Sequence, residues 1–263
     1  MRVQKILIVR LAGVGDVVMA STVVERIRAT SPGATIHWLC GRTAAPLVER
    51  LHGVDVVLTL DEHRLLRGGF AAKIGELARV WRRLLGAGYT RVLLLHVDRR
   101  YRVLTVPIVL AGGKLSVLSR RDAHGAMNPV PGRSLSDEYA RLVDGMEHRG
   151  PIAGHAPLAT MRGSETIRRG TADGRRRVGL VPGGTKNVLR ESVLKRWPPE
   201  RYADVARALI ADGREVLLVG DGADEWAKPF FNGIAVTDMI GRTTLPDTVS
   251  MLAGCDLVIS HDT

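Results

Sequence analysis

The stretch KILIVRLAGVGD, residues 5–16, decides the fold. Residues 5–10 are an apolar, β-rich run too continuous to keep a solvated face, the pattern of a buried parallel strand. Glycines at 13 and 15 follow at once and permit a tight turn at the strand's carboxyl end. Over 16–29 the apolar residues Val17, Ala20, Val24 and Ile27 line one face of a helix. Strand, glycine turn and helix together open an α/β sheet, and such sheets place ligands outside the carboxyl ends of their strands.

The same alternation runs outward along the chain. Segments 35–40, 54–60, 91–95 and 114–118 read as strands, and 43–51, 70–85, 102–110 and 136–146 as helices. The pattern lapses from 150 to 177, where Gly, Pro, Ala and charge dominate. It restarts with strands at 177–181, 215–219 and 257–260 and helices at 199–211, 224–231 and 245–253, with a long loop over 182–195. This predicts an α/β protein of two similar parallel-sheet domains, 1–150 and 177–263, joined by a linker over 151–176.

Composition is that of a soluble globular protein, 45% hydrophobic and 25% charged. The net charge of +11 admits nucleic acid, an anionic membrane face or small anionic substrates as partners. Its short clusters, such as Arg99-Arg100 and Arg175-Arg176-Arg177, are not interleaved with aromatics, so nucleic acid is not expected. A solvated, Arg-rich surface explains them equally well. Cys40 and Cys255 read as buried free thiols. Residues 1–20 show no secretory pattern, and no apolar stretch reaches membrane-spanning length. A cytoplasmic monomer, at most peripheral to the membrane, is expected.

Four clusters could carry chemistry. Asp16 follows the first glycine turn. It is either a helix N-cap or a carboxylate facing a cleft, able to take a proton from a hydroxyl. The turn is not the dinucleotide fingerprint, because no third glycine follows and an acid would repel a pyrophosphate. VPGGTKN (181–187) frees the amides of Gly183 and Gly184 to face an anion, with the Thr185 hydroxyl beside them. KRWPP (195–199) adds Lys195, and Trp197 is expected to anchor that loop. Asp224 and Glu225, in DGADE (221–225), serve as dipole-matched caps or as acceptors for sugar hydroxyls. IGRTTLP (240–246) is a turn into a helix.

In that order, and with a terminal strand ending in Asp262-Thr263, these pieces resemble glycosyltransferase family 9, the ADP-heptose:lipopolysaccharide heptosyltransferases. The resemblance covers almost the whole chain and is most specific in its second half. It implies the GT-B fold, two Rossmann-like domains facing a central cleft. It further implies an inverting transfer without a metal ion or cofactor, ADP-heptose being the donor substrate and an anionic glycan or glycolipid the acceptor. Asp16 then falls on the general base and Lys195 on the lysine holding the donor phosphates, helped by Gly183, Gly184 and Thr185. Asp224 and Glu225 lie near a carboxylate that contacts donor hydroxyls. Gly241, Thr243 and Leu245 fall beside the adenosine, and Asp262 and Thr263 on the start of an Asp-Thr/Ser-Gly-x-x-His turn for the diphosphate. Gly15, Arg99, Arg100 and Arg102 are assigned to the acceptor, guanidinium groups being suited to carboxylates and phosphates. The chain ends before the Gly and His of the last turn, so a C-terminally truncated member with an incomplete second domain is expected. A non-catalytic module binding a nucleotide or an anionic glycan is the competing reading.

Overall fold

The computed structural model describes residues 4–11, 13–118, 126–127, 132–145, 158–162, 169–184 and 193–261. The chain divides into two compact units, Met1–Arg162 and Gly163–Thr263.

In the first unit six strands form one parallel sheet: β1 (Lys5–Val9), β2 (Thr35–Gly41), β3 (Val56–Leu60), β4 (Arg91–Leu94), β5 (Lys114–Leu118) and β6 (Ala126–Met127). Their order, β3-β2-β1-β4-β5-β6, is that of a doubly wound Rossmann sheet. Side chains along β1 alternate between two separate cores. Ile6 and Ile8 join Trp38 and Cys40 on one face, while Leu7 and Val9 join Leu39 and Leu94 on the other. Burial on both faces is why this strand tolerates no polar alternation. Each such fully buried Ile, Leu or Val contributes about 1.5–3 kcal/mol relative to exposure.

The first face is covered by α1 (Val14–Ala20), α2 (Thr22–Thr30), α3 (Ala45–Glu49) and, from later in the chain, Leu135–Asp144. The second face carries α4 (Glu62–Leu66), α5 (Phe70–Leu84), a 3-10 helix at Arg99–Thr105 and α6 (Val106–Leu110). Leu135–Asp144 is α7. The single helix expected over 16–29 is two. The Ser21 hydroxyl donates to Val18 O at 2.7 Å and that of Thr22 to Met19 O at 3.0 Å, which tightens the turn between them. Likewise 102–110 divides, because Pro107 opens α6 and the preceding turn stays 3-10.

The second unit holds a four-stranded parallel sheet of β7 (Arg177–Val181), β8 (Glu215–Leu218), β9 (Thr237–Asp238) and β10 (Leu257–Ser260), in the order β10-β7-β8-β9. Counted within this unit the order is 3-2-1-4, the same start as in the first. One face packs on α8 (Pro199–Ala211) and a 3-10 helix at Gly222–Phe231, through Val178, Leu180, Tyr202, Ala206 and Phe231. The other face holds a smaller cluster of Leu217, Val219 and Cys255 beside α9 (Leu245–Ala253). Cys40 and Cys255 are buried free thiols, and burial pushes the Cys40 thiol up to about 12. No helix among the described residues is long and apolar enough to cross a membrane.

Candidate functional site

Each sheet reverses its strand order once next to its first strand: between β1 and β4 in the first unit, and between β7 and β10 in the second. Such switch points part the loops that leave the carboxyl ends of the strands, and ligands of open α/β sheets bind there. The sequence candidates Asp16 and Gly183-Gly184 follow β1 and β7 and so stand at the two switch points.

At the first, Gly13 has φ 82° and caps α1, with Val17 N donating to Gly13 O at 3.0 Å. A Cβ at Gly13 would lie 2.8 Å from Asp16 Oδ2, so the turn needs glycine for both its conformation and its space. Gly15 does not share that role: it lies within α1, and a Cβ there would meet nothing within 4 Å. The turn therefore rests on one glycine. Nor is Asp16 the N-cap. It stands in the first turn of α1, its side chain 36% exposed, and its carboxylate is ion-paired with Arg10.

Arg10, absent from the sequence candidates, organises this corner. Its Nη2 holds Asp16, while Nη1 donates to Leu95 O at 2.8 Å and lies 3.2 Å from His96 Nδ1. His96 follows β4 across the switch point, is 6% exposed, and stacks on Tyr101 with centroids 4.1 Å apart. Leu11 N donates to its Nε2 at 3.0 Å. Both ring nitrogens thus face donors, and a neutral imidazole has one lone pair to offer. A protonated ring would have none. Burial first, then the Arg10 charge, push His96 down to about 3. Glu62, 8% exposed, has its carboxyl raised by burial against the opposing pull of Arg10, and its Oε1 has no hydrogen-bond partner among the described residues. Its carboxyl presses on the Gly41 backbone, where a Cβ would come within 2.3 Å of it. The signal available in the sequence was a polar residue at the end of each of two apolar strands, Arg10 after β1 and His96 after β4.

Arg99, Arg100 and Arg102 all lie on the 3-10 helix that follows β4. Arg99 and Arg100 are exposed and Arg102 is half-buried. The fork of Arg100 is closed on Asp98, with Nη2–Oδ2 at 2.6 Å, and that hydrogen bonding holds the Asp98 carboxyl below its usual range.

In the second unit β7 runs into Gly183 and Gly184, the latter at φ 88°. The structure separates the two acids that the sequence left together. Asp224 is 8% exposed and accepts from Gly184 N and Asp221 N, each at 3.0 Å. Its carboxylate fills the space beside Gly183, where a Cβ would come within 2.0 Å of Cγ. It joins the loops after β7 and β8. Glu225 is exposed, pairs with Lys228 at 3.2 Å, and faces Gly241, where a Cβ would lie 3.8 Å from Oε1. Gly241 has φ 71° and donates to Gly220 O at 3.0 Å, holding its turn against the Asp224 loop. Thr243 and Thr248 share a hydroxyl contact of 2.7 Å beyond that turn, and Leu245 begins α9.

Lys195 is exposed at the end of a 3-10 turn, Val193–Lys195. The expected anchor, Trp197, is 41% exposed and meets only the edge of Tyr202 among the described aromatic rings, so it does not bury the loop. Arg196 holds it instead: Nη2 donates to Gly184 O at 3.1 Å and the guanidinium lies 4.9 Å from the Trp226 ring. That contact brings the lysine's turn beside the paired glycines. Tyr202 OH lies 3.1 Å from Nδ1 of His261, which follows β10 at the switch point. Thr185, Asp262 and Thr263 lie outside the described residues. No group of three His, Cys, Asp or Glu able to hold a metal is found among the described residues.

Residues 157–263 match the family described as Glycosyltransferase family 9 (heptosyltransferase). The chain is 23% identical over 282 residues to lipopolysaccharide heptosyltransferase 2 of Escherichia coli K12, covering 98% of this chain and 77% of that protein. Among solved structures it superposes on E. coli ADP-heptose LPS heptosyltransferase II with a TM-score of 0.72 and 20% identity, covering 99% of this chain and 80% of that one. On E. coli heptosyltransferase WaaC bound to ADP-2-deoxy-2-fluoro heptose the TM-score is 0.77 at 16% identity, covering 99% and 83%. These structures share the GT-B fold with this chain, as the motifs implied.

Proposed function

We propose that this chain, a glycosyltransferase family 9 (heptosyltransferase)-like protein, moves a heptose from ADP-heptose to a hydroxyl of an anionic, lipopolysaccharide-type acceptor. In this reading the first unit binds the acceptor and the second the donor. Asp16 takes the hydroxyl proton as the oxygen attacks the anomeric carbon, and the nucleotide diphosphate leaves from the opposite face, so configuration inverts. The anomeric centre becomes oxocarbenium-like, a positive charge that a nearby carboxylate also stabilises. Charge growing on the leaving phosphate is met by Lys195, by the Gly183 amide, and by the turn that opens at Asp262 and Thr263, with Thr185 contributing its hydroxyl. The Gly184 amide, expected to share this role, is instead held by Asp224. No metal ion enters this scheme.

The observation that carries the reading is the position of Asp16. Its carboxylate stands at the β1–β4 switch point, partly exposed, and is oriented by Arg10 rather than consumed by capping. The second unit supports it with the Gly183-Gly184 turn, which Arg196 ties to the loop that presents Lys195. Of the two acids there, Glu225 is the one we assign to donor hydroxyls, with Gly241, Thr243 and Leu245 beside the base, because Asp224 is committed to backbone amides. Gly15, Arg99, Arg100 and Arg102 remain assigned to the acceptor.

Incubation with ADP-heptose and a short anionic glycan, read by release of ADP and mass gain of the glycan, tests the assignment. Transfer is expected. Calorimetry showing nucleotide binding with no transfer to any anionic glycan would favour the binding-module reading instead.

A further inference from the structure

The helical layer on the second face of the first sheet is unlike the rest of that unit. Of the exposed large apolar side chains described there, only Val56 and Leu158 lie elsewhere. Phe70 (81% exposed), Ile74 and Leu85 stand on or just after α5, Val103 on the 3-10 helix, and Val109 and Leu110 (83% exposed) on α6. Between α4, α5 and the 3-10 helix runs a groove of about 320 Å³, whose floor includes Leu65, Leu66, Leu77 and Leu104. Its charged lining is Lys73 and Arg100.

The charge of this layer is one-sided. The acids of residues 62–114 are Glu62, Glu76 and Asp98. Two of them are buried, and the third is paired with Arg100. Exposed cations remain on the same segments at Arg64, Lys73, Arg82, Arg83 and Arg99. A helix with an apolar stripe flanked by Lys and Arg lies in the plane of a bilayer interface and gains from anionic lipid.

We propose that this layer docks on an anionic bilayer surface, the groove receiving the acyl chain of one lipid. A soluble amphiphile in the groove would meet Phe70, which lines it, but would leave Leu110, which does not, in water. A planar apolar medium covers them together, while the flanking cations stay among the headgroups. Tyr101 lines the groove and stacks on His96, which contacts Arg10, the partner of Asp16. Those packed side chains join the groove wall to the corner that holds the proposed base. That last step rests on the function proposed above; the docking does not.

Sedimentation with vesicles of phosphatidylcholine, with and without phosphatidylglycerol, reads the docking without any turnover. The full chain should bind the mixed vesicles, weakly bind the neutral ones, and be released by salt. Phe70→Ser with Ile74→Ser, both on the exposed side of α5, should lower the partition coefficient by tenfold or more. Lys73→Glu should weaken binding to the mixed vesicles alone. Val56→Ser, exposed on β3, is the control and should bind as the parent does. Transfer to a short soluble glycan should survive Phe70→Ser/Ile74→Ser, and its absence in parent and variant alike would count against the function, not the docking. Equal vesicle binding by parent and double variant overturns the proposal. So does a lipid-free dimer that the double variant dissolves, because the face would then belong to a second copy.

Discussion

Arg10 and Asp16 are ion-paired across the turn that closes β1, and the glycine between them at position 13 is what lets the carboxylate fold back. The arginine is itself fixed by Leu95 O and His96, so the orientation of the carboxylate depends on the end of β4 as much as on its own helix.

Asp16→Asn keeps the turn and the shape of the side chain but cannot accept the proton. Turnover should fall by about 100-fold or more, with nucleotide affinity by calorimetry unchanged. A variant with full turnover rules out Asp16 as the base.

Arg10→Gln removes the cation that aims Asp16. We expect kcat to fall by roughly ten- to a hundredfold with little change in the donor KM, since misplacing a reacting group costs rate more than binding. Arg10→Lys should recover part of the loss, because one ammonium restores the charge but not the fork over Leu95 O, His96 and Asp16. If instead the donor KM rises and kcat holds, Arg10 does not act through Asp16.

The two glycines of the first turn should behave oppositely under urea. Gly13→Ala forces a side chain into positive φ and against Asp16, a loss of about 1–2 kcal/mol or more. Gly15→Ala adds a methyl in open space within a helix and should gain about 0.5–1 kcal/mol. Equal effects at both would contradict the turn described.

The acids of the second unit part in the same way. Asp224→Ala removes the shared acceptor of the partly exposed Gly184 and Asp221 amides, at about 0.5–1.5 kcal/mol each. Glu225→Ala should leave stability within about 0.5 kcal/mol and raise the donor KM. Urea midpoints and initial rates on the two variants read this directly, and a destabilised Glu225→Ala protein would reverse the assignment.

Acid should weaken the first unit through His96. Its folded value, about 3, lies below the ordinary 6.5, so the folded state disfavours the proton that the unfolded chain takes up. The neutral ring's contribution is complete above about 6.5 and is lost as pH falls from there toward 3, at up to about 1.4 kcal/mol per pH unit. In His96→Gln that component disappears. The urea midpoint of the variant should then decline less between pH 6.5 and 4 than the parent's; parallel curves would mean that His96 is protonated in the fold.

Much of this was readable along the chain. The buried runs of β1, β2, β4, β7 and β8, the Pro-opened α8 and α9, Asp16, Gly183 and Gly184 after strand ends, and Lys195 in the loop before α8 follow from local periodicity and turn chemistry. The short strands β6 and β9 carry too few residues to show a period. Helix α4 was missed because five residues make barely more than a turn.

By itself the sequence determined two α/β halves, a glycine turn after β1, and an order of motifs that resembles glycosyltransferase family 9. Only the tertiary structure decided who orients Asp16, which of Asp224 and Glu225 is exposed, and that Arg196 rather than Trp197 holds the lysine's turn. The reason is distance along the chain. Arg10 meets His96 from 86 residues away and Gly184 meets Asp224 from 40. Those pairs exist only because parallel strands bring remote carboxyl ends side by side, which no local pattern records.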